Sequence, residues 1–143
     1  MARVQIDIPE ELPFETVITV RVTDINYRGH VGGDGLLTMI HEARVRFLRA
    51  AGYNESDVGG ASLIIADTAI VYRSEAFEGE RLLFRVGAAD FTRHGFDVVY
   101  RVSESVSGRE VLQAKTGMVC FDYEARAVVD VPPAFKEALS ALD

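Results

Sequence analysis

The chain has 143 residues, 48% of them hydrophobic and 26% charged, with a formal net charge of −7. That length supports one domain with a real core and is too short for two ordinary ones, and the composition is that of a folded globular protein. The acidic balance argues against nucleic acid or an anionic membrane as a partner, since the one basic cluster (Arg44, Arg46 and Arg49) has no interleaved aromatics.

Pro9 and Pro13 punctuate a short leader, and Phe14 to Thr23 (FETVITVRVT) is β-branched and alternating, which predicts a first strand. Asp24 to Gly33 (DINYRGHVGG) is glycine-rich and predicts a loop. Asp34 suits an N-cap and Gly52 is the next strong stop, so a helix is predicted over Asp34–Ala51. At about 100° per residue, Leu36, Ile40, Ala43, Phe47 and Ala51 share one face, and Leu37 and Leu48 widen it. Thr38, Glu42, Arg46 and Arg49 form a polar stripe opposite. Arg44 falls in the apolar sector, where a guanidinium needs a buried partner. The period then changes to two. Ser62–Ser74, Arg81–Ala89, Phe96–Val106 and Glu110–Tyr123 predict four strands, with turns at Gly79, at Thr92–Gly95 and at Ser107-Gly108. Pro132 and Pro133 open a short amphipathic helix that runs to Leu142.

One apolar helix and one antiparallel sheet must bury each other's faces. The expected class is α+β, a single domain over residues 1–143. A long helix is wrapped by a curved five-stranded antiparallel meander, and a short C-terminal helix follows. The sheet's far face and its edge strand are left for a second copy, which predicts a homodimer or a dimer of dimers. Asp67 lies in an apolar strand run, where an unpaired carboxylate is costly, and is expected to face the partner subunit. Cys120 is the only cysteine, so no disulfide forms within the chain, and its alternation with Val119 and Phe121 reads as core. Acids and prolines break residues 1–15, and no stretch reaches the length of a membrane span, so the expected location is cytoplasmic. No His/Cys cluster has metal-ligand spacing, and the glycines from Gly29 to Gly35 lack the Lys-Ser/Thr pair of a phosphate-cradling loop.

The segment Asp24 to Arg44, DINYRGHVGGDGLLTMIHEAR, resembles the signature of the 4-hydroxybenzoyl-CoA thioesterase-like hotdog proteins. In that signature an acidic loop leads to Gly-His-Val (here Gly29-His30-Val31), two small or amide residues (Gly32-Gly33) and a helix carrying Glu-Ala-Arg (Glu42-Ala43-Arg44). Tyr72 followed by Glu75 to Leu82 (EAFEGERL) is similar to the family's turn after the second strand. The resemblance implies a hotdog fold and hydrolysis of an acyl-CoA or acyl-carrier-protein thioester to free acid and thiol. It implies no cofactor beyond the coenzyme A that is part of the substrate. In the best-known members the loop reads Asp-x-Asp, and the second Asp is the nucleophile or base. Here that position is Asn26, which has no ionisable carboxylate.

Thioester hydrolysis needs an activated water or nucleophile, and donors to the developing oxyanion. The amides of Gly33, Asp34 and Gly35 at a helix start supply such donors, and Gly32, Gly33 and Gly35 let a substrate approach closely; these are the candidate substrate-binding residues. The catalytic candidates are Asn26, His30, Asp34 and Glu42. Asp34 is a base or an N-cap, and Glu42 is a base lining the cleft or a solvated stripe residue. His30 is a base by its natural titration range or a turn residue. Asn26 orients water or the thioester carbonyl. Asp24 bonds loop amides. Glu42 is expected to contribute more to turnover than Asp34, and Asn26→Asp to be tolerated. Two other functions fit the pattern. Asp24, Asn26 and His30 nearly reproduce the Asp-x-Asn-x-x-His loop of hotdog hydratases and dehydratases, with the His one residue too far along. The missing loop carboxylate also fits a non-catalytic acyl-CoA-binding protein.

Overall fold

In the computed structural model, which describes residues 1–142, the predicted helix and strands are all present, in the predicted order. The elements are β1 (Phe14–Thr19), α1 (Gly33–Ala50), β2 (Ser62–Tyr72), β3 (Arg81–Ala89), β4 (Gly95–Glu104), β5 (Glu110–Asp122), β6 (Ala127–Val128) and α2 (Pro133–Ser140). The sheet is antiparallel, with strand order β1-β3-β4-β5-β2 and the two-residue β6 returning onto β5. Only β3-β4-β5 is therefore a meander. β2 lands beside β5, on the edge opposite β1, and β3 takes the place next to β1. The turn before β3 fixes that place, because Val20 donates to the Glu80 carbonyl and accepts from the Gly79 amide, both at 2.8 Å.

β1 stops earlier than the alternation suggests. Beyond Thr19 the chain leaves the ladder, and Val22–Asp24 form one 3-10 turn closed by Asp24, whose carboxylate accepts the Arg21 amide at 2.8 Å. The helix buries Leu36, Met39, Ile40, Ala43, Phe47 and Leu48 against the inner face of the sheet, where Phe84, Val98, Val102 and Leu112 are fully enclosed. Leu37, assigned from the sequence to the apolar face, is 44% exposed. It sits at the margin of the apolar sector, on the side the sheet does not reach. From α2, Phe135 and Leu139 complete the core, Phe135 packing edge-on against Tyr53 at 5.0 Å.

Arg44 is 3% exposed and paired as the sequence requires. Its guanidinium donates to Glu55 at 2.9 Å and to the Tyr100 hydroxyl at 3.2 Å, and Tyr100 bonds Thr116 at 2.7 Å. Burial works against the charged guanidinium, but Tyr100 and Glu55 outweigh it and hold Arg44 above its ordinary range. Burial also pushes the Tyr100 hydroxyl up. Cys120 is core, and burial raises its thiol, which suits an inert packing residue.

The two sheet edges are treated differently. On β1, Arg46 donates to the Thr16 hydroxyl at 2.8 Å and to the Val17 carbonyl at 3.0 Å, which blunts that edge. On β2, the Leu63 amide donates to the Glu55 backbone carbonyl at 2.7 Å, but Ile65 to Thr68 are exposed in the middle of the strand. The leader lies over part of the outer face: Arg101 donates to the Pro9 and Glu10 carbonyls at 3.3 Å, and Leu12 and Pro13 pack over Gly87. Asp67 is not unpaired. A bulge between Ile65 and Asp67 directs its carboxylate across the outer face, where it accepts from Lys115 at 2.7 Å and from the Gly117 amide at 3.2 Å. The Lys115 bond holds that carboxyl below its usual range. Among the described residues no helix is long and apolar enough to cross a membrane.

Candidate active site

The loop between β1 and α1 folds back on itself. Asn26 donates to the His30 carbonyl at 2.8 Å, Gly29 donates to the Asn26 carbonyl at 3.0 Å, and Ile25 bridges Val31. Gly29 has φ +83°, a conformation that a side chain would strain. The loop is pinned to the segment after β2 by Val31, which donates to the Ala76 carbonyl at 2.9 Å, and by a bridge between His30 and Phe77. This tertiary contact brings the end of β2 to the start of α1.

The helix begins at Gly33, and its N-cap is Gly32, with no side-chain cap. Asp34 is therefore not the cap expected from the sequence; it sits in the first turn, where an anion is favoured by the free amides. The first helical amide bonded within the turn is that of Leu36, which donates to the Gly32 carbonyl at 3.0 Å. The amides of Gly33, Asp34 and Gly35 precede it and form an electropositive start to the helix.

Three glycines here do different work. A Cβ on Gly32 would stand 2.7 Å from Asp34 Oδ1 and 3.5 Å from Asn26 Nδ2, so the carboxylate packs over the bare Cα of Gly32 with the carboxamide beside it. A Cβ on Gly33 would stand 3.0 Å from the Tyr72 hydroxyl. The open face of Gly35 is filled by Val31 and the Asp24 carbonyl, at 2.8 Å and 3.1 Å from where a Cβ would be. Its missing side chain lets the loop pack on the helix rather than admitting a ligand.

The Asn26 carboxamide has a defined orientation. Its Oδ1 accepts the Arg28 amide at 2.9 Å, which only the oxygen can do, so the NH2 group faces Gly32. Asn26 thus presents a donor. His30 Nδ1 lies 3.2 Å from the Val31 carbonyl and Nε2 lies 3.8 Å from Glu75. The carbonyl can only accept, so in that bond Nδ1 carries the hydrogen. Asn26, His30, Gly32, Gly33, Leu36 and Tyr72 line a cleft of about 460 Å³. Asn26 and Gly32 also border a second cleft, of about 330 Å³, that contains Asp34, Asp24 and Thr38.

Glu42 is elsewhere. It lies in a groove of about 570 Å³ along the polar stripe and is tied to Arg46 at 2.7 Å. Within one chain it does not meet Asn26, His30 or Gly32, because it is two helical turns beyond Asp34 and faces the β1 side. Its carboxylate steadies the arginine that blunts the β1 edge. The Asp24 carboxylate is taken up by Arg21; burial raises its carboxyl, and the Arg21 bonds outweigh this and leave it below the usual range. Sequence reasoning passed over Tyr72 as a site residue. Its signal was weak, an aromatic at a strand end, and only the pairing of the loop with residues 76–77 brings it over Gly33. Among the described residues no three His, Cys, Asp or Glu side chains converge as a metal site requires.

Comparison with known proteins agrees with this fold. Residues 20–139 match the model of the family described as the thioesterase-like superfamily. A 1,4-dihydroxy-2-naphthoyl-CoA hydrolase from Synechocystis is 27% identical over 127 residues, covering 87% of this chain and 92% of that protein. The crystal structure of a 1,4-dihydroxy-2-naphthoyl-CoA thioesterase from Synechocystis superimposes with a TM-score of 0.83 at 26% identity, covering 91% of this chain and 97% of that one. A Thermus thermophilus thioesterase solved with coenzyme A and zinc shares the fold, with a TM-score of 0.79 at 20% identity over 94% of this chain and 96% of that one.

Proposed function

We propose, from the premise that the chain belongs to the thioesterase-like superfamily, that it hydrolyses acyl-CoA or acyl-carrier-protein thioesters with Asp34 as general base. One observation carries the assignment: the Asp34 carboxylate and the Asn26 amide meet over Gly32 at an uncapped helix start and border one cleft. In this reading the thioester carbonyl lies over the helix N-terminus, and the free amides stabilise the oxyanion. A water in the cleft lined by Asn26, Gly32 and Asp34 gives a proton to Asp34 as its oxygen attacks the carbonyl carbon. The C–S bond then breaks, the acid forms, and the thiolate takes up the proton. Asn26 orients the water or the carbonyl as a donor, and His30 stands at the leaving-group side of the cleft. The hydrolase and thioesterase from Synechocystis act on an aromatic acyl-CoA, which supports including aromatic acyl groups in the substrate range. The reading needs no cofactor beyond the coenzyme A of the substrate.

The test is a panel of benzoyl-CoA, short and long aliphatic acyl-CoAs and crotonyl-CoA, followed by thiol release and by loss of the enoyl absorbance. Thiol release from at least one member is expected. Hydration of crotonyl-CoA without thiol release would identify a hydratase, and binding without turnover a carrier.

The same reading includes a homodimer or dimer of dimers joined through β2, in the cytoplasm. Support comes from the exposed Ile65–Thr68 stretch of an edge strand, which offers unpaired backbone groups to a second copy. The single buried thiol suits a reducing compartment. Sedimentation at micromolar concentration is expected to show no substantial monomer. Thr68→Lys, which adds a second charge to that stretch beside Asp67, is expected to shift the protein toward monomer. An unchanged sedimentation profile would count against edge pairing.

A further inference from the structure

We infer that the Tyr72 hydroxyl is a catalytic donor to the thioester carbonyl, acting beside the first amides of α1; this rests on the thioesterase reading of the same cleft. Tyr72 is the last residue of β2 and is 47% exposed. Its backbone carbonyl is engaged by Arg3 at 3.4 Å. Its hydroxyl, by contrast, makes no hydrogen bond to any described residue, yet it is held at 3.0 Å from the point where a Cβ on Gly33 would stand. A phenolic O–H that close to the first residue of an uncapped helix stands beside the free amides of Gly33 and Asp34. It is a donor of the kind that oxyanion sites use, and it lines the cleft that holds Asn26 and His30. Gly33 acquires a second reason to be glycine. An alanine there would crowd the hydroxyl, although its backbone conformation is one that any residue adopts.

Tyr72→Phe removes only the hydroxyl, which has no internal partner to leave stranded, so the variant is expected to fold as the wild type does. On a hydrolysed acyl-CoA its kcat is expected to fall about 10- to 100-fold, somewhat below the loss of a fully enclosed oxyanion donor, with KM little changed. Gly33→Ala is expected to impair the wild type but to add little in the Tyr72→Phe background. A second measurement does not depend on turnover. Trifluoroacetonyl-CoA presents a hydrated carbonyl that resembles the tetrahedral intermediate, whereas S-propyl-CoA has no carbonyl. Tyr72→Phe is expected to weaken the first by about tenfold, the loss of one hydrogen bond, and to leave the second unchanged. Equal affinity of wild type and Tyr72→Phe for the ketone analogue, or equal kcat, would overturn the assignment. So would a Gly33→Ala penalty that is the same in both backgrounds. A wild type that releases no thiol from any acyl-CoA would refute the thioesterase reading instead, and the analogue titration would still decide whether Tyr72 holds the carbonyl.

Discussion

Asp34→Asn is expected to lower kcat/KM by about 10²–10⁴-fold, the usual loss on removing a general base, while Glu42→Gln stays close to wild type. Asp34 has the geometry of a base: its Oδ1 packs over Gly32 beside the Asn26 amide, on the rim of a cleft at the free helix amides. Glu42 has the geometry of a brace, since its 2.7 Å bond to Arg46 holds a guanidinium on the Thr16 hydroxyl and the Val17 carbonyl. As a largely solvent-exposed pair on one helix, it is worth about 0.5 kcal/mol of stability. The sequence analysis ranked these two residues the other way. Asn26→Asp makes the comparison sharper. The Arg28 amide would still find an oxygen, so the loop keeps its shape. The group facing Gly32 would, however, change from a donor to an acceptor beside the Asp34 carboxylate. The variant is therefore expected to fold but to lose part of its activity, where the sequence alone pointed to an Asp being tolerated at this position. Steady-state kinetics on one hydrolysed acyl-CoA decides the matter. Near-normal turnover in Asp34→Asn with loss in Glu42→Gln would move the base to the polar stripe and refute the present assignment.

Glu55→Ala is expected to destabilise the fold far more than Arg44→Met, although each removes one partner of the same pair. Arg44 has only 4% of its side chain exposed, and Glu55 has 27%. Removing Glu55 leaves a buried cation with only the Tyr100 hydroxyl, at 3.2 Å, and no carboxylate. The cost is expected near the lower end of the roughly 3–5 kcal/mol seen when a buried pair is broken. Removing Arg44 leaves little stranded: Glu55 reaches water and lies 3.5 Å from His41, and Tyr100 keeps Thr116 at 2.7 Å. A methionine in its place fills an apolar sector, so that change is expected to be near neutral. Urea unfolding at fixed protein concentration reads both, as a shift in midpoint with the slope unchanged. Equal losses would mean that packing of the arginine stem, not the fate of its charge, sets the energy.

The sequence determined the inventory of this protein. A single change from helical period to period two, with Gly52 and the two prolines as stops, specified one long helix, four long strands and a short closing helix, because those signals are local and repeat along the chain. It also determined that Arg44 must be paired and that Cys120 is core, because an uncompensated charge or an exposed apolar row has no other outcome. Tertiary structure decided which strands are neighbours. Alternation tells which face a strand buries but not which strand it bonds, so β2 lies beside β5, and β3 takes its place beside β1 where the turn at Gly79 and Glu80 closes on Val20. It decided the helix start as well, since loop packing against residues 76–77 makes Gly32 the cap and leaves Asp34 free. It decided which candidates meet. Asn26 and Asp34 converge on Gly32, and Tyr72 reaches Gly33 from 39 positions away in the chain. Glu42, though only eight residues beyond Asp34, turns toward the other edge of the sheet and braces Arg46. Chain distance orders the residues of a helix, but a site is a matter of which side chains face one space, and only the packed sheet and loop create that space.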